Sequence, residues 1–495
     1  MKFFEKYESI VSQQQFRYVF LALLCIFTIT LFPVNWDGNE ENYFQLSHKT
    51  IEPTAFPENH AIFDASRGRI VPEFLIGNLV KYLGYETSHT IVRILAIFGY
   101  TFALALLFRN FKFRVVDATL IICAFILAGQ QLFGDAWLFR GGESKVFAYI
   151  FVFLSIHNCL NQKHITALVW LAAATYMHFL VGLFWTVFIF STVFLYQRNI
   201  LKLLQYAGIF TLMMSPLLAL LVPELLIKTD LVADYTSDYI YTRIRNPHHT
   251  DPFQSLYVFL ASWAIGIAKL IIIICFGVYC FKKDSTNWLS ALTWVAGLYL
   301  ILFLIISFFD RNTLFFGKFY LFRPTGLVLL FFIMLAVIQI RNSITSNIPY
   351  YFVTLFCVAS ALLPIAKEKV LQIKTPEPRY ATTKLIETIR NNTNQNEIVL
   401  LDPANKWDTK AIQLVRDIPR PTLVEWKFVP TQKVDILRWR NLMNLKERLF
   451  EQGCDYANAE IKYFIIFSVQ RYEPFSSCSE ILYKDENLIF LQIQT

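Results

Sequence analysis

Eleven stretches of this chain are apolar and either long enough to cross a bilayer or nearly so: 16–34, 89–108, 115–134, 146–160, 165–177, 179–196, 202–222, 256–281, 287–309, 325–340 and 349–365. A spanning helix needs about 20 mostly apolar residues. In lipid its backbone N–H and C=O groups must all be satisfied inside the segment. The stretches at 146–160 and 165–196 are the shortest for full crossings. Charge divides the chain in the same way. Residues 367–495 carry 19 Lys/Arg and 17 Asp/Glu, whereas all of 1–366 carries the other 46 of 82 charges. Charged residues make up 17% of the whole chain, against about a quarter in soluble domains. A soluble monomer, a fibrous protein and a disordered chain are excluded. The expectation is a polytopic α-helical membrane domain of about eleven spans over 1–366, followed by a soluble α/β domain over 367–495.

The polar, basic start Met1–Arg17 precedes the run Phe16–Val34, which lacks a small-residue cleavage site and reads as an uncleaved first span. With the N-terminus cytoplasmic, the short inside segments hold 12 Lys/Arg in 46 residues, and the outside loops 35–88, 135–145, 223–252 and 310–324 hold 12 in 110. The positive-inside rule favours that orientation. With an odd number of spans it places the charged tail outside. There Cys454 and Cys478 could form a disulfide in an oxidising compartment, the alternative being two free thiols. The other six cysteines lie in apolar runs. Residues 70–85 look amphipathic and suited to the membrane interface.

Within the tail, Ala381–Asn392 has helical periodicity, and Lys433–Gln452 predicts a long helix closed by Gly453. Ile398–Leu401, Thr422–Trp426 and Lys462–Ser468 read as strands, and Ile481–Tyr483 with Leu488–Ile493 as a hairpin. No Gly-rich phosphate loop is present.

The densest polar feature, Trp36-Asp37-Gly38-Asn39-Glu40-Glu41-Asn42-Tyr43, directly follows the first span. Carboxylates held near a reacting hydroxyl can act as general bases, although acidic residues are also common in solvated loops just outside a span. The next outside loop gathers Asp135, Arg140, Glu143 and Lys145 around Gly141-Gly142, a turn that could bring the charges together or simply end a helix. His178 sits at a polar break between two apolar halves, where a structural hydrogen bond competes with a functional role.

The third and fourth outside loops are cationic beside aromatics, with Arg243 and Arg245 in one and Lys318 and Arg323 in the other. Basic residues outside run against the positive-inside trend. An anionic lipid phosphate would account for them, as would pairing with Asp234, Asp238 and Asp251. His248-His249 is set aside as a metal motif, because adjacent residues rarely aim at one ion. Lys/Arg are scattered rather than striped, so nucleic acid is not an expected partner.

Together these features resemble the GT-C superfamily of integral-membrane glycosyltransferases. Its members use polyprenyl-phosphate-linked sugars on the periplasmic or luminal face and carry an acidic motif in the first outer loop. In protein O-mannosyltransferases and lipid A aminoarabinose transferases that motif is an Asp-Glu pair followed shortly by Tyr or His. Here the matching stretch is Asn39-Glu40-Glu41-Asn42-Tyr43, with Asp37 two residues earlier. The Asp-Glu pair itself is not reproduced, and the base role stays open among Asp37, Glu40 and Glu41. Glu40 falls in register with the family's Glu when Tyr43 is aligned to its Tyr. Arg140 to Lys145 and the later His178 are similar to a stretch in uncharacterised bacterial members.

The resemblance implies a single inverting displacement at the sugar's anomeric carbon. A first-loop carboxylate takes the acceptor's proton, and Arg243, Arg245, Lys318 and Arg323 meet the charge of the departing lipid phosphate. The acceptor would be a glycan, a lipid or a protein. A divalent ion near Glu40 and Asp135 would be compatible with members of the superfamily that need metal. The competing classes are a transporter or flippase of lipid-linked sugars, and a polysaccharide polymerase or ligase of another fold. The Lys-, Asn-, Ile- and Phe-rich composition favours a bacterial inner membrane.

Overall fold

The computed structural model describes residues 2–64, 67–227, 229–343, 347–375, 380–403, 409–456 and 461–494. Among them, eight helices are long and apolar enough to cross a membrane: Gln13–Leu31, Arg67–Asn110, Phe179–Gln197, Ile200–Glu224, Leu256–Lys283, Trp288–Asp310, Thr325–Ser343 and Ile348–Lys374. The protein is thus a polytopic helical membrane protein with a small sheet near its C-terminus. Three of the eleven apolar runs form shorter helices, Val115–Leu127, Ser144–Leu160 and His164–Met177. At 1.5 Å per residue, a helix of 13 to 17 residues reaches only about 20–25 Å, short of the roughly 30 Å hydrocarbon core. The run at 115–134 stops being helical after Leu127, and Gly129 and Gln130 follow in left-handed conformations.

The chain forms two compact units. One comprises Met1–Val34, Thr90–Leu221 and Tyr241–Thr375, and the other Asn35–His89, Val222–Ile240 and Pro376–Thr495. The charged tail therefore shares its unit with 35–89 and with 222–240.

In the first unit, Ser144–Leu160 packs against His164–Met177, Ala264–Lys283 against Trp288–Asp310, and Val115–Leu127 against Asn347–Lys374. Its interior is aromatic, with Tyr100, Tyr149, Phe153, Trp185 and Phe188 fully enclosed. Leu201, Leu212, Ile265, Phe352 and Phe356 are exposed on other helices, as lipid-facing positions would be. Gly182 permits a close helix contact: a Cβ there would stand 2.3 Å from the backbone N of Thr175.

In the second unit, four strands carry the core: β1 (Val399–Leu401), β2 (Tyr463–Ile466), β3 (Ser479–Lys484) and β4 (Ile489–Ile493). Their order is β1-β2-β4-β3, with β1 parallel to β2 and the other pairs antiparallel. Thr422–Trp426 is not a strand. Leu423 takes a left-handed φ of 63°, Val424 N–H turns back to the Thr422 carbonyl, and a 3-10 turn begins at Trp426. The helix Lys433–Gln452 ends at Gly453, and its Arg440 grips Asp234 at 2.7 Å, tying in the 222–240 segment. Cys454 and Cys478 are disulfide-bonded.

Ala61 and Ile62, from the loop after the first apolar helix, join the core with Leu385, Ile389, Val399, Leu414 and Ile465. Burial of these side chains, worth about 1.5–3 kcal/mol each for the larger ones, is what draws that loop into the tail's unit. The segment 70–85 is helical up to Gly84, whose φ of 76° interrupts the helix. Its Phe74, Leu75, Tyr82 and Leu83 are exposed, in keeping with an amphipathic stretch.

Candidate functional site

The first-loop carboxylates belong to the second unit. Asp37-Gly38-Asn39-Glu40 folds as a capping box at the start of the helix Gly38–Ile51. Asp37 Oδ1 accepts from Asn39 N–H at 3.0 Å, and Glu40 Oε2 accepts from Asp37 N–H at 2.9 Å. Two of the three carboxylates thus hold a helix terminus. The helix N-terminus in turn favours negative charge there, and both Glu40 and Glu41 are buried beside it.

Each buried glutamate meets a basic side chain. His89 Nε2 lies 3.2 Å from Glu40 Oε2. The indole of Trp36 stacks on that imidazole with ring centres 4.1 Å apart, and donates to Glu86 at 3.2 Å. Arg416 Nη1 donates to Glu41 Oε1 at 3.0 Å while its Nε and Nη2 fork the carboxylate of Asp417. The same guanidinium lies over the rings of Trp36 and Tyr85. Burial alone would lower the proton affinity of Arg416, but Asp417 and Glu41 more than offset it and keep the group charged. Arg69 covers the ring of Tyr43. Gln45, one turn beyond Glu41, donates to the Ile412 carbonyl at 3.0 Å.

His89 and Arg416 escape sequence reasoning. His89 opens the second apolar run, and an ionisable residue at the head of a span is a signal that could have singled it out. Arg416 is separated from Glu41 by 375 positions and carries no local signal.

The remaining candidates lie in the first unit. Lys145 pairs with Glu143 at 3.3 Å and sits 3.1 Å from the centre of the Trp137 ring, which Arg140 also faces at 5.6 Å. His178 marks the break between His164–Met177 and Phe179–Gln197. Its extended backbone donates to the Ala174 carbonyl and accepts from Gly182 N–H. Arg243 is bound to the buried Asp251 at 2.7 Å, one of the pairings the sequence offered, and also to the Arg311 carbonyl. Asp234, another of the carboxylates offered, is taken instead by Arg440.

Lys318 rests on the rings of Phe315 and Phe319. Arg323 lies 4.6 Å from the centre of the Tyr320 ring, which also contacts His249. Its buried Nε–H has no hydrogen-bond partner among the described residues. Arg245 is buried, with Asn246 Oδ1 at 3.4 Å.

The adjacency of His248 and His249 does not keep them apart in aim. One nitrogen of each and a carboxylate oxygen of Asp135 lie within 4.8 Å of one another. Burial, then the neighbouring charge of His248, hold His249 well below the ordinary histidine range, and Arg323 and Lys145 add to that effect.

No family model matches the chain. No curated protein matches it either.

Proposed function

We propose that this membrane protein transfers a sugar from a polyprenyl-phosphate donor to an acceptor hydroxyl on the outer face of the membrane. The observation that carries the reading is Glu40: a buried carboxylate at a helix N-terminus, directly beyond the first apolar helix, with His89 against it. A general base needs a fixed position and a neighbour that tunes its proton affinity. Asp37 and Glu41 then have positioning roles, Asp37 as the helix cap and Glu41 as the anchor of Arg416.

In the reaction, Glu40 takes the proton of the acceptor hydroxyl. The oxygen bonds to the anomeric carbon from the face opposite the phosphate, and the bond from that carbon to the phosphate oxygen breaks, so the configuration inverts. Polyprenyl phosphate leaves with the electron pair. Because Glu40 has no exposed surface, the partly exposed Trp36 indole stacked on His89 must swing aside to admit the acceptor. Among the cations of the first unit, Arg323, with its orphaned Nε–H, is the best suited to bind an anionic phosphate. Arg243, already bound to Asp251, contributes less.

The outer location of the tail is supported by the Cys454–Cys478 disulfide and by the sparse cations of the outer loops. A cytoplasmic N-terminus and a bacterial inner membrane complete the proposed placement.

The test is to incubate the purified chain with polyprenyl phosphates carrying labelled sugars and candidate glycan, lipid and protein acceptors. Release of free polyprenyl phosphate with label moved to an acceptor supports the reading. If every donor is recovered intact, and the same protein in vesicles moves donor between leaflets, the protein is a flippase instead.

A further inference from the structure

We infer that Asp135, His248 and His249 form a binding site for a zinc-class dication. The inference is independent of sugar transfer and rests on three features of the first unit.

First, two segments more than a hundred residues apart bring two imidazole nitrogens and one carboxylate oxygen within 4.8 Å of one another. Ligands at about 2.1 Å from one ion in a tetrahedral site stand roughly 3.4 Å apart, so the set must draw together by up to about an ångström or a little more. Asp135 is an exposed side chain and can make that adjustment.

Second, the imidazole of His249 is already oriented. Its Nδ1 lies 2.8 Å from the carbonyl oxygen of Gly134. Donation to that carbonyl fixes the Nδ1–H tautomer and leaves Nε2 with its lone pair, the arrangement in which metal-bound histidines are usually held. The carbonyl and the carboxylate come from one turn, since Gly134 precedes Asp135. Both residues are left-handed, at φ 78° and 47°. Such a conformation is strained for Asp. At Gly134 a Cβ would press to 3.1 Å on Phe322. The turn thus supplies one ligand and orients another.

Third, the donor set selects the ion. Two imidazoles and one carboxylate suit zinc and its late first-row neighbours. Magnesium and calcium prefer oxygen ligands throughout. Three protein ligands also leave a coordination position open. Arg323 lies on the Tyr320 ring that His249 also touches, so its guanidinium stands near the site and would oppose a bare dication. The bound ion therefore carries an anionic fourth ligand, such as a phosphate oxygen.

The test uses the full-length protein in detergent, stripped with chelator and dialysed against Zn2+, with bound metal counted by mass spectrometry. One zinc per chain is expected, bound at least 10-fold more weakly in D135N and in H249A and unchanged in H60Q. Because H249A could disturb the fold, D135N, which alters only an exposed side chain, keeps the test decisive. Cobalt substituted for zinc should give a low-symmetry absorption band that D135N abolishes. Inorganic phosphate should tighten zinc binding several-fold. Zinc binding that is absent, equal in D135N and wild type, or displaced by equimolar Mg2+ would overturn the site. Tight zinc binding indifferent to phosphate would overturn the anionic fourth ligand.

Discussion

His89 Nε2 lies 3.2 Å from Glu40 Oε2, and Trp36 stacks on the same imidazole. The pair sets an imidazole directly against the buried first-loop carboxylate. If Glu40 is the base, E40Q should lower the turnover of sugar transfer by about 10²- to 10⁴-fold. H89A should lower it less and change its pH dependence. Thermal unfolding of E40Q should stay near wild type, which separates loss of chemistry from loss of fold, whereas H89A, which removes a buried ring, should melt lower.

Glu41 and Arg416 form a mostly buried ion pair at 3.0 Å. Removing one partner of such a pair leaves an uncompensated charge, at a cost of about 3–5 kcal/mol. R416M should therefore destabilise the second unit by that order, read as a lowered melting temperature in detergent. The double variant R416M/E41Q should recover most of the loss. A double variant no more stable than R416M would show that Arg416 acts mainly through Asp417 and the rings beneath it.

His60 supplies a pH dependence with a defined sign. Its Nε2 lies 3.1 Å from the Val415 carbonyl, and its Nδ1 accepts from Ile62 N–H at 3.4 Å. Burial lowers its pKa to about 4, from an ordinary value of 6.5. The unfolded chain therefore binds the proton more readily between those two values. Stability is full above pH 6.5 and falls as the pH drops towards 4, by up to about 3 kcal/mol. H60Q should flatten that part of the stability profile, measured by thermal melts across the window.

The Cys454–Cys478 disulfide joins the end of the helix Lys433–Gln452 to the start of β3. It closes a loop of 24 residues in sequence. By the loop-entropy account its loss should cost about 3 kcal/mol. Reductant, or the C454S/C478S pair, should lower the melting temperature of the second unit. Neither should weaken zinc binding in the first unit.

Local signals made much of the architecture legible. The apolar runs are helices because their length and composition demand it, and the helix Lys433–Gln452 has the bounds that its periodicity and Gly453 imply. Asp37-x-x-Glu40 is itself a capping-box signature, so the tie between these two could be read from spacing alone. Other features depended on distant parts of the chain. Thr422–Trp426 has strand-like residues, yet Leu423 N–H bonds the Asn59 carbonyl, a partner no local pattern reveals. His89 and Arg416 reach the first-loop glutamates across 49 and 375 positions. Adjacent histidines such as His248 and His249 give no metal signal in sequence, because neighbours seldom share an ion; their approach to Asp135 depends on the helical turn Pro247–Thr250 and the left-handed Gly134–Asp135 turn.

The central claim is that Glu40 removes the acceptor's proton in sugar transfer. The most direct measurement compares wild type and E40Q, purified and equally folded, for transfer of labelled sugar from polyprenyl phosphate to acceptor. The account predicts that wild type consumes donor and builds product of inverted configuration, while E40Q is slower by about 100-fold or more. Transfer by E40Q at the wild-type rate would contradict it.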